Sequence, residues 1–449
     1  MPHTDGGNMN GIVIGLVVMA MLAAPVAFAG TANGLELRRD LSPVVIGPMP
    51  TDRLGGGEMI AVKAGDAVFG VRYGVDGRAN DIVIFAEYKR FLGAAEIVDE
   101  RGRYLATRGI PVFTVLAQSL TRFIEFQKVN ETEGYDLQSV DGLASLSRNL
   151  PVKVLSLVTA WELREFTNRT VDNVTYVDFT LSARDLHYTR IMNETNLGDG
   201  IVNLVAFTFH LTIEDVVRSG QVPVFRVTVD DGDHREITHA EFLRMENVTA
   251  QAVAMGAKYD HRIEGWDFLL LGDRLVLETR LLLGNFIPDR TSDFVHALLR
   301  ERAEDGNGTY ERDDRTLNES LHERPRLYTL DRVYFDDDYT RIGRFTWVTS
   351  VTVDGQPMRM AFQVQGGGRL RLEHAGMYFV GFWLRGAFVY PAGQVIDHDP
   401  ALYTESFVEL PSGFNLTPIS ILAIQLGIVG VALVPAIYLR ARARRAASK

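Results

Sequence analysis

The residues with the chemistry to hold a metal ion or move a proton stand in three short groups. Asp230, Asp231 and Asp233 form an acidic turn around Gly232, followed by His234 and Glu236. Calcium takes six to eight oxygen ligands. This turn would supply two or three, without the twelve-residue loop that completes such a site, so calcium is at most a weak candidate cofactor. The same turn read as a solvated hairpin tip needs no ligand. Asp336-Asp337-Asp338 carries the same pair of readings. Asp397-His398-Asp399 places an imidazole between carboxylates, a pattern that can ligate a metal or orient a histidine. No second histidine stands at a defined spacing from His398. His234 and His239 lie five apart, which on a strand puts them on opposite faces.

Other chemistry is absent from the sequence or undirected. There is no His-Glu-x-x-His zinc motif and no Gly-x-Ser-x-Gly nucleophile turn. The chain has no cysteine, which excludes disulfides, thiolate metal sites and cysteine nucleophiles. Paired carboxylates could serve glycoside hydrolysis, but no pair stands out. Trp161, Trp266, Trp347 and Trp383 are all read as strand residues, either stacking platforms for sugars or, the commoner use, core. No catalytic or cofactor-binding residue is assigned, and the lack of a site, taken with the topology and the sequons, favours a non-enzymatic protein.

The elements that would carry these groups are mainly β. Ala67–Tyr73, Asp81–Phe91, Ala94–Val98, Val112–Gln118, Arg122–Lys128, Val152–Leu163, Val174–Leu186 and Ile201–Ile213 are rich in β-branched and aromatic residues. Val222–Val229 and Glu236–Met245 flank the acidic turn as a hairpin, and Arg262–Leu271 and Arg274–Leu283 flank Gly272-Asp273 as another. Thr291–Arg302 has helical spacing, with Ser292 as its cap. Further strands run over Arg332–Phe335, Arg344–Val353, Met358–Gln365, Leu370–Glu373, Met377–Leu384 and Ala387–Tyr390. The expected architecture is antiparallel sheets packed as β-sandwich domains, with one short helix at 291–302 and a single C-terminal transmembrane helix. A large domain would cover 35–290. A helix and charged linker would follow at 291–326, then a second β-rich domain or a continuation of the first at 327–390, and a stalk at 391–415.

The two ends set the topology. Gly11–Ala29 is apolar and ends in Ala27-Phe28-Ala29, as a secretory signal does, although no Lys or Arg precedes it. Residues 1–29 therefore read as a signal peptide or an uncleaved signal anchor. Ile419–Leu439 holds 21 residues without a charge, long enough for a ~30 Å hydrocarbon core. Arg440, Arg442, Arg444, Arg445 and Lys449 follow at once. Basic flanks stay cytoplasmic, so the expectation is a transmembrane helix at 416–439, a cytoplasmic tail at 440–449, and the bulk of the chain outside. The whole chain carries a net charge of −11 and the stretch 30–415 carries −15, which argues against nucleic acid as a partner.

Eight asparagines stand in N-x-Ser/Thr: Asn130, Asn168, Asn173, Asn193, Asn247, Asn307, Asn318 and Asn415. With 16 Asn and 45 Ser plus Thr in 449 residues, chance predicts about two. The excess points to exposed loops and turns that meet a glycosylating enzyme outside the cytoplasm. Dense sequons, no cysteine and one basic-flanked span together resemble the general organisation of archaeal cell-surface glycoproteins. The reading is thus a single-pass surface glycoprotein with an envelope-structural, adhesive or ligand-binding role, its partners the membrane and envelope glycans or proteins. An anchored carbohydrate-active hydrolase and an accessory subunit of a membrane complex are the alternatives.

Overall fold

The computed structural model describes residues 44–48, 57–64, 67–130, 133–141, 145, 147–172, 174–191, 200–230, 237–288, 311–312, 315–316, 332–336, 341–374 and 377–407. The helix expected at 291–302 and the span at 416–439 lie outside them. No helix among the described residues is long and apolar enough to cross a membrane.

The described chain is mainly β. In order come β1 (Val44–Pro48), β2 (Glu58–Ala64), β3 (Ala67–Tyr73), β4 (Ile82–Asp99), β5 (Tyr104–Phe126), the one-turn helix α1 (Leu137–Val140), β6 (Pro151–Ser156) and β7 (Glu162–Val171). Next are β8 (Val174–Arg190), β9 (Gly200–Val229), β10 (Ile237–Glu264) and β11 (Arg274–Pro288). The two-residue strands β12 (Glu311–Arg312) and β13 (Arg315–Thr316) pair with each other. The chain continues with β14 (Arg332–Asp336), β15 (Arg341–Thr346), β16 (Ser350–Val353), β17 (Gln356–Arg359), β18 (Ala361–His374), β19 (Met377–Pro391), β20 (Val395–His398) and β21 (Ala401–Phe407).

Apart from β12 and β13, the described strands join into one sheet, and every pairing but one is antiparallel. One run of neighbours is β1-β2-β3-β4-β5-β11-β19-β18. The other is β7-β8-β9-β10, continued by β20 and β21 against β10 and by β15 and β14 beyond β21. β6 bridges β5 and β8, and residues 94–99 of β4 lie parallel to residues 224–229 of β9. Strands as long as β9 and β10 serve different partners along their length, which is how one sheet encloses a core.

That core draws alternate residues from both runs: Ile84, Tyr88, Leu116, Phe123 and Leu277 from the first, Phe207, Phe209, Tyr259 and Leu402 from the second. The Tyr88 hydroxyl meets the Thr404 hydroxyl at 2.5 Å, and Gln118 Nε2 donates to the Tyr259 hydroxyl at 2.7 Å, so the inner faces touch. Two turns have the geometry their residues favour. Val353-Asp354-Gly355-Gln356 joins β16 to β17 with positive φ at Asp354 (51°) and Gly355 (77°), a type I′ pattern. At Asp99–Gly102 the Asp99 carboxylate accepts the backbone N–H groups of Arg101 and Arg103.

Several expectations change. Gly272-Asp273 does not join a hairpin: β10 stops at Glu264, and β11 pairs with β5 and β19. A turn signal is local, whereas a strand's partner is chosen by where its apolar face is buried. The stretch Val152–Leu163 breaks after Ser156 and resumes as β7. Within the stalk expected at 391–415, β20 and β21 instead pair with β10, and Ile396 and Leu402 enter the core. Strand β19 runs between β11 and β18, so strands from before residue 291 and after residue 327 share one sheet.

Candidate functional site

Several polar constellations lie inside the fold among the described residues. The first sits on the face of β5, β11 and β19 that α1 covers. Glu278 is fully buried, and its carboxylate accepts Arg122 Nε at 2.5 Å, Arg385 Nε at 2.7 Å and Arg280 Nε at 3.0 Å. Asp141, just past α1, takes Arg122 at 3.0 Å and Arg385 at 3.2 Å. Both arginines also donate to the Leu137 carbonyl at the helix. Burial alone would raise the Glu278 carboxyl, but the guanidiniums of Arg385, Arg280 and Arg122 hold it far below the usual carboxylate range. Its oxygens are saturated by donors.

The second constellation centres on Glu125. Its carboxylate accepts Trp266 Nε1 at 2.8 Å and the Leu269 N–H at 2.7 Å, and it pairs with Lys153 Nζ at 3.1 Å. Lys153 also donates to the Asp267 carbonyl. Asp273 accepts the Leu270 N–H at 3.1 Å, and burial beside Glu125 pushes its carboxyl up to about 6. These groups hold the loop between β10 and β11.

The third constellation is aromatic. His261 stands among Phe123, Phe207, Tyr390 and His398, with ring centroids 5.3–6.2 Å away. It is 1% exposed, and neither ring nitrogen has a hydrogen-bond partner among the described residues. Burial, then the neighbouring His398, holds its pKa well below the ordinary value. His398 contacts the Tyr390 hydroxyl through Nδ1 and the Val348 carbonyl through Nε2, both at 3.1 Å. Burial lowers its pKa to about 4. Both ring nitrogens of this candidate ligand are thus engaged inside the core.

The accessible constellation is on the outer face of β8, β9, β10 and β20. Cross-strand register puts Asp178, His210 and Lys258 in one row. His210 Nδ1 contacts Asp178 at 2.7 Å and its Nε2 contacts Asp260 at 3.3 Å. Lys258 Nζ lies 3.1 Å from Asp399, whose carboxylate raises the lysine pKa. Asp397, paired in register with Arg262, has its carboxyl raised by burial and by Glu264 and Asp260, against the lowering effect of Arg262. Asp397 and Asp399 therefore face outward and His398 inward, the alternation a strand imposes. Chemically, this face offers acceptors and one imidazole to a polar ligand.

The other residues singled out in the sequence are not brought together. Asp230 directly follows β9 and is half-buried, whereas Asp231, Asp233, His234 and Glu236 lie outside the described residues. Asp336 closes β14, and Asp337 and Asp338 also lie outside. Of the eight sequons, Asn130 is in a loop, while Asn168 and Asn247 are in β7 and β10 rather than in turns; Asn247 is exposed. Asn173, Asn193, Asn307, Asn318 and Asn415 lie outside the described residues. Trp161, Trp266 and Trp347 stand outside strands and are buried, which makes them core; Trp383 alone is in a strand and is half-buried.

No known protein family matches this sequence, and no curated protein matches it. Among solved structures, the crystal structure of 4-alpha-glucanotransferase from Thermococcus litoralis is similar over 80% of this chain and 39% of that one, at 10% identity and a TM-score of 0.26. This chain spans well under half the length of that protein, and a likeness of this degree carries no argument.

Glu278, Arg122, Arg385, Glu125, Lys153, Asp273 and His261 were not singled out from sequence. A signal was present: Arg122 and Glu125 in LTRFIEF and Glu278 in RLVLETRLLLG are charges inside apolar strands. Such charges stay only where partners meet them.

Proposed function

We propose that this chain is a single-pass, membrane-anchored cell-surface glycoprotein, archaeal in organisation, whose β-rich ectodomain has an envelope-structural, adhesive or ligand-binding role rather than a catalytic one. The observation that carries the reading is the set of eight sequons upstream of a charge-free span closed by a basic tail. In this proposal residues 30–415 are outside the cell, Ile419–Leu439 crosses the bilayer, and the tail is cytoplasmic. The two runs of strands are proposed to act as the halves of a β-sandwich, a reading supported by the Gln118–Tyr259 and Tyr88–Thr404 contacts between their inner faces. The use of the buried charges on one another, as in Glu278 with three arginines, supports a scaffold role.

The test is protease protection and surface labelling on intact cells, together with glycan analysis of the purified chain. The reading expects cleavage of the bulk from outside and sugar on Asn247. A chain digested only after lysis, and free of sugar, would overturn it.

One observation favours the hydrolase alternative. Asp397 keeps a raised carboxyl pKa on an open face near Asp260 and Glu264, and a glycosidase needs an acid of that kind beside an ionised carboxylate. Turnover of a polysaccharide panel that is lost in Asp397→Asn would establish it.

A further inference from the structure

The outward faces of β7, β8, β9, β10, β21 and β15 meet in register. One cross-strand row reads Arg169, Tyr176, Thr212, Gly256, Tyr403 and Arg344. The sequence neighbours Val177, Leu211, Ala257 and Leu402 are core residues, so the row points to solvent. The row is nearly symmetric about its centre. Arg169 lies over the Tyr176 ring at 4.8 Å and Arg344 over the Tyr403 ring at 4.7 Å, and both arginines are exposed. A guanidinium is planar and stacks as a ring does, so each end of the row is a plate held by a cross-strand pair. The centre carries no side chain. A Cβ at Gly256 would stand 2.9 Å from Tyr403 Cδ1 and 2.8 Å from the Thr212 hydroxyl oxygen, so the tyrosine ring leans over bare backbone. The next row runs through Thr167, Asp178, His210 and Lys258. Asp178 and Asp260 grip His210 from both sides and Asp399 holds Lys258, yet Asp178, His210, Lys258 and Asp260 stay 37–45% exposed.

We propose that this face binds a neutral polysaccharide, laid across Tyr176 and Tyr403 with its hydroxyls on the row of Asp178, His210 and Lys258. A sugar ring has an apolar C–H face that stacks on a planar group and a rim of hydroxyls that donate and accept. The two rows offer both parts side by side. Three inter-strand spacings separate β8 from β21, about 14 Å, so one small ring cannot touch both tyrosines and a chain of sugars can. Charge selects among chains: Arg169, Lys258 and Arg344 balance Asp178, Asp260 and Asp399, which leaves no net attraction for a polyanion. The sequons in β7 and β10 leave this face open. Asn168 pairs with the core residue Val177, and Asn247 falls on the same alternation of β10 as the core residues Val253 and Ala257, so both point to the other side. That the ligand is an envelope glycan rests on the surface reading above; the binding itself does not.

The test is affinity electrophoresis of the full-length chain, in a sugar-free detergent, through native gels containing starch, β-glucan, mannan or galactan, with polygalacturonate as the acidic control. The expected result is retardation by at least one neutral polysaccharide, unchanged when the salt is raised severalfold. Tyr176→Ala and Tyr403→Ala should each weaken it about tenfold, while Tyr176→Phe and Tyr403→Phe keep most of it. Tyr104→Ala, at an exposed tyrosine at the start of β5, should change nothing. Circular dichroism checks that each variant folds. Should an alanine variant fail, Arg169→Ala and Asp178→Asn alter side chains that already meet water and should weaken retardation in the same way. Retardation by none of the neutral polysaccharides overturns the proposal, as does retardation that the tyrosine variants leave intact, or binding to polygalacturonate alone. A retarded chain found inside the cell sinks the surface reading and spares this one; a surface chain that no polysaccharide retards does the reverse.

Discussion

Arg385 on β19 and Glu278 on β11 lie on neighbouring strands, 2.7 Å apart from Nε to carboxylate oxygen, beneath a helix of one turn. With Arg122, Arg280 and Asp141 the pair ties three strands to the excursion that follows β5. The apolar neighbours Ile124, Phe126, Tyr135, Leu137 and Val276 seal the same interface. The excursion is held by buried ion pairs and by apolar packing side by side.

Removing the Glu278 charge leaves Arg122 and Arg385 with Asp141 alone and takes from Arg280 the carboxylate it pairs with. Glu278→Gln should cost about 3–5 kcal/mol of stability, because an uncompensated buried charge is expensive. Urea unfolding measures it, and an unchanged midpoint would show that the cluster contributes nothing. Because the folded carboxyl is held below its usual range, the contribution is complete above the ordinary glutamate pKa and is lost as pH falls below it.

Acid should also act through His261 and His398. Both are neutral in the fold with lowered pKa values, His398 at about 4. Between the ordinary value near 6.5 and the folded values, the unfolded chain binds protons that the folded chain refuses. Stability therefore falls as pH drops through this window, by about 2 kcal/mol per histidine between pH 6.5 and 5. Denaturant midpoints at pH 7 and 5 should converge in His261→Phe relative to the parent. An unchanged difference would place the acid response elsewhere.

Glu87 on β4 predicts the opposite trend. Burial pushes its carboxyl up to about 8, so ionising it costs stability as pH rises from the ordinary glutamate value through 8. Glu87→Gln should be more stable than the parent at pH 9, by about 4–5 kcal/mol, and nearly equal to it at pH 4. Thermal melts at the two pH values decide it, and a variant that is weaker at pH 9 contradicts the assignment.

Gly70 on β3 is there for space. A Cβ at this position would stand 2.3 Å from the Ile60 carbonyl oxygen and 2.8 Å from the Ala61 Cα. Backbone cannot yield as a flexible side chain does, so Gly70→Ala should lose about 1–3 kcal/mol. Gly77, in an open turn with φ 76°, has nothing near its missing Cβ. Gly77→Ala should cost only the left-handed backbone penalty of about 1–2 kcal/mol. Comparing the two by urea unfolding separates crowding from backbone conformation.

Strand identity was legible wherever the pattern was local. Ala67–Tyr73 is β3 to the residue, and the runs at Val174–Leu186 and Ile201–Ile213 fall inside β8 and β9. Reading failed where a strand's fate depended on distant chain. Val395–His398 and Ala401–Phe407 look like a tether until β10 is there to pair with them. Val112–Gln118 and Arg122–Lys128 read as two strands because the polar residues between them break the alternation, yet a bulge lets β5 run through.

What the sequence determined by itself is the β character, the tight turns at Asp99–Gly102 and Val353–Gln356, the placement of an apolar cysteine-free core, and the features of both termini on which the topology proposal stands. These follow from side-chain branching, backbone preference and transfer out of water, which act within a few residues of chain. Only the tertiary structure decided that Glu278 meets Arg122 and Arg385, that Glu125 and Asp273 hold the loop between β10 and β11, that His398 turns inward while Asp397 and Asp399 face solvent, and that β19 inserts beside β11. Each of these depends on which strands become neighbours, and burial across a hundred residues or more sets that choice, not the local pattern.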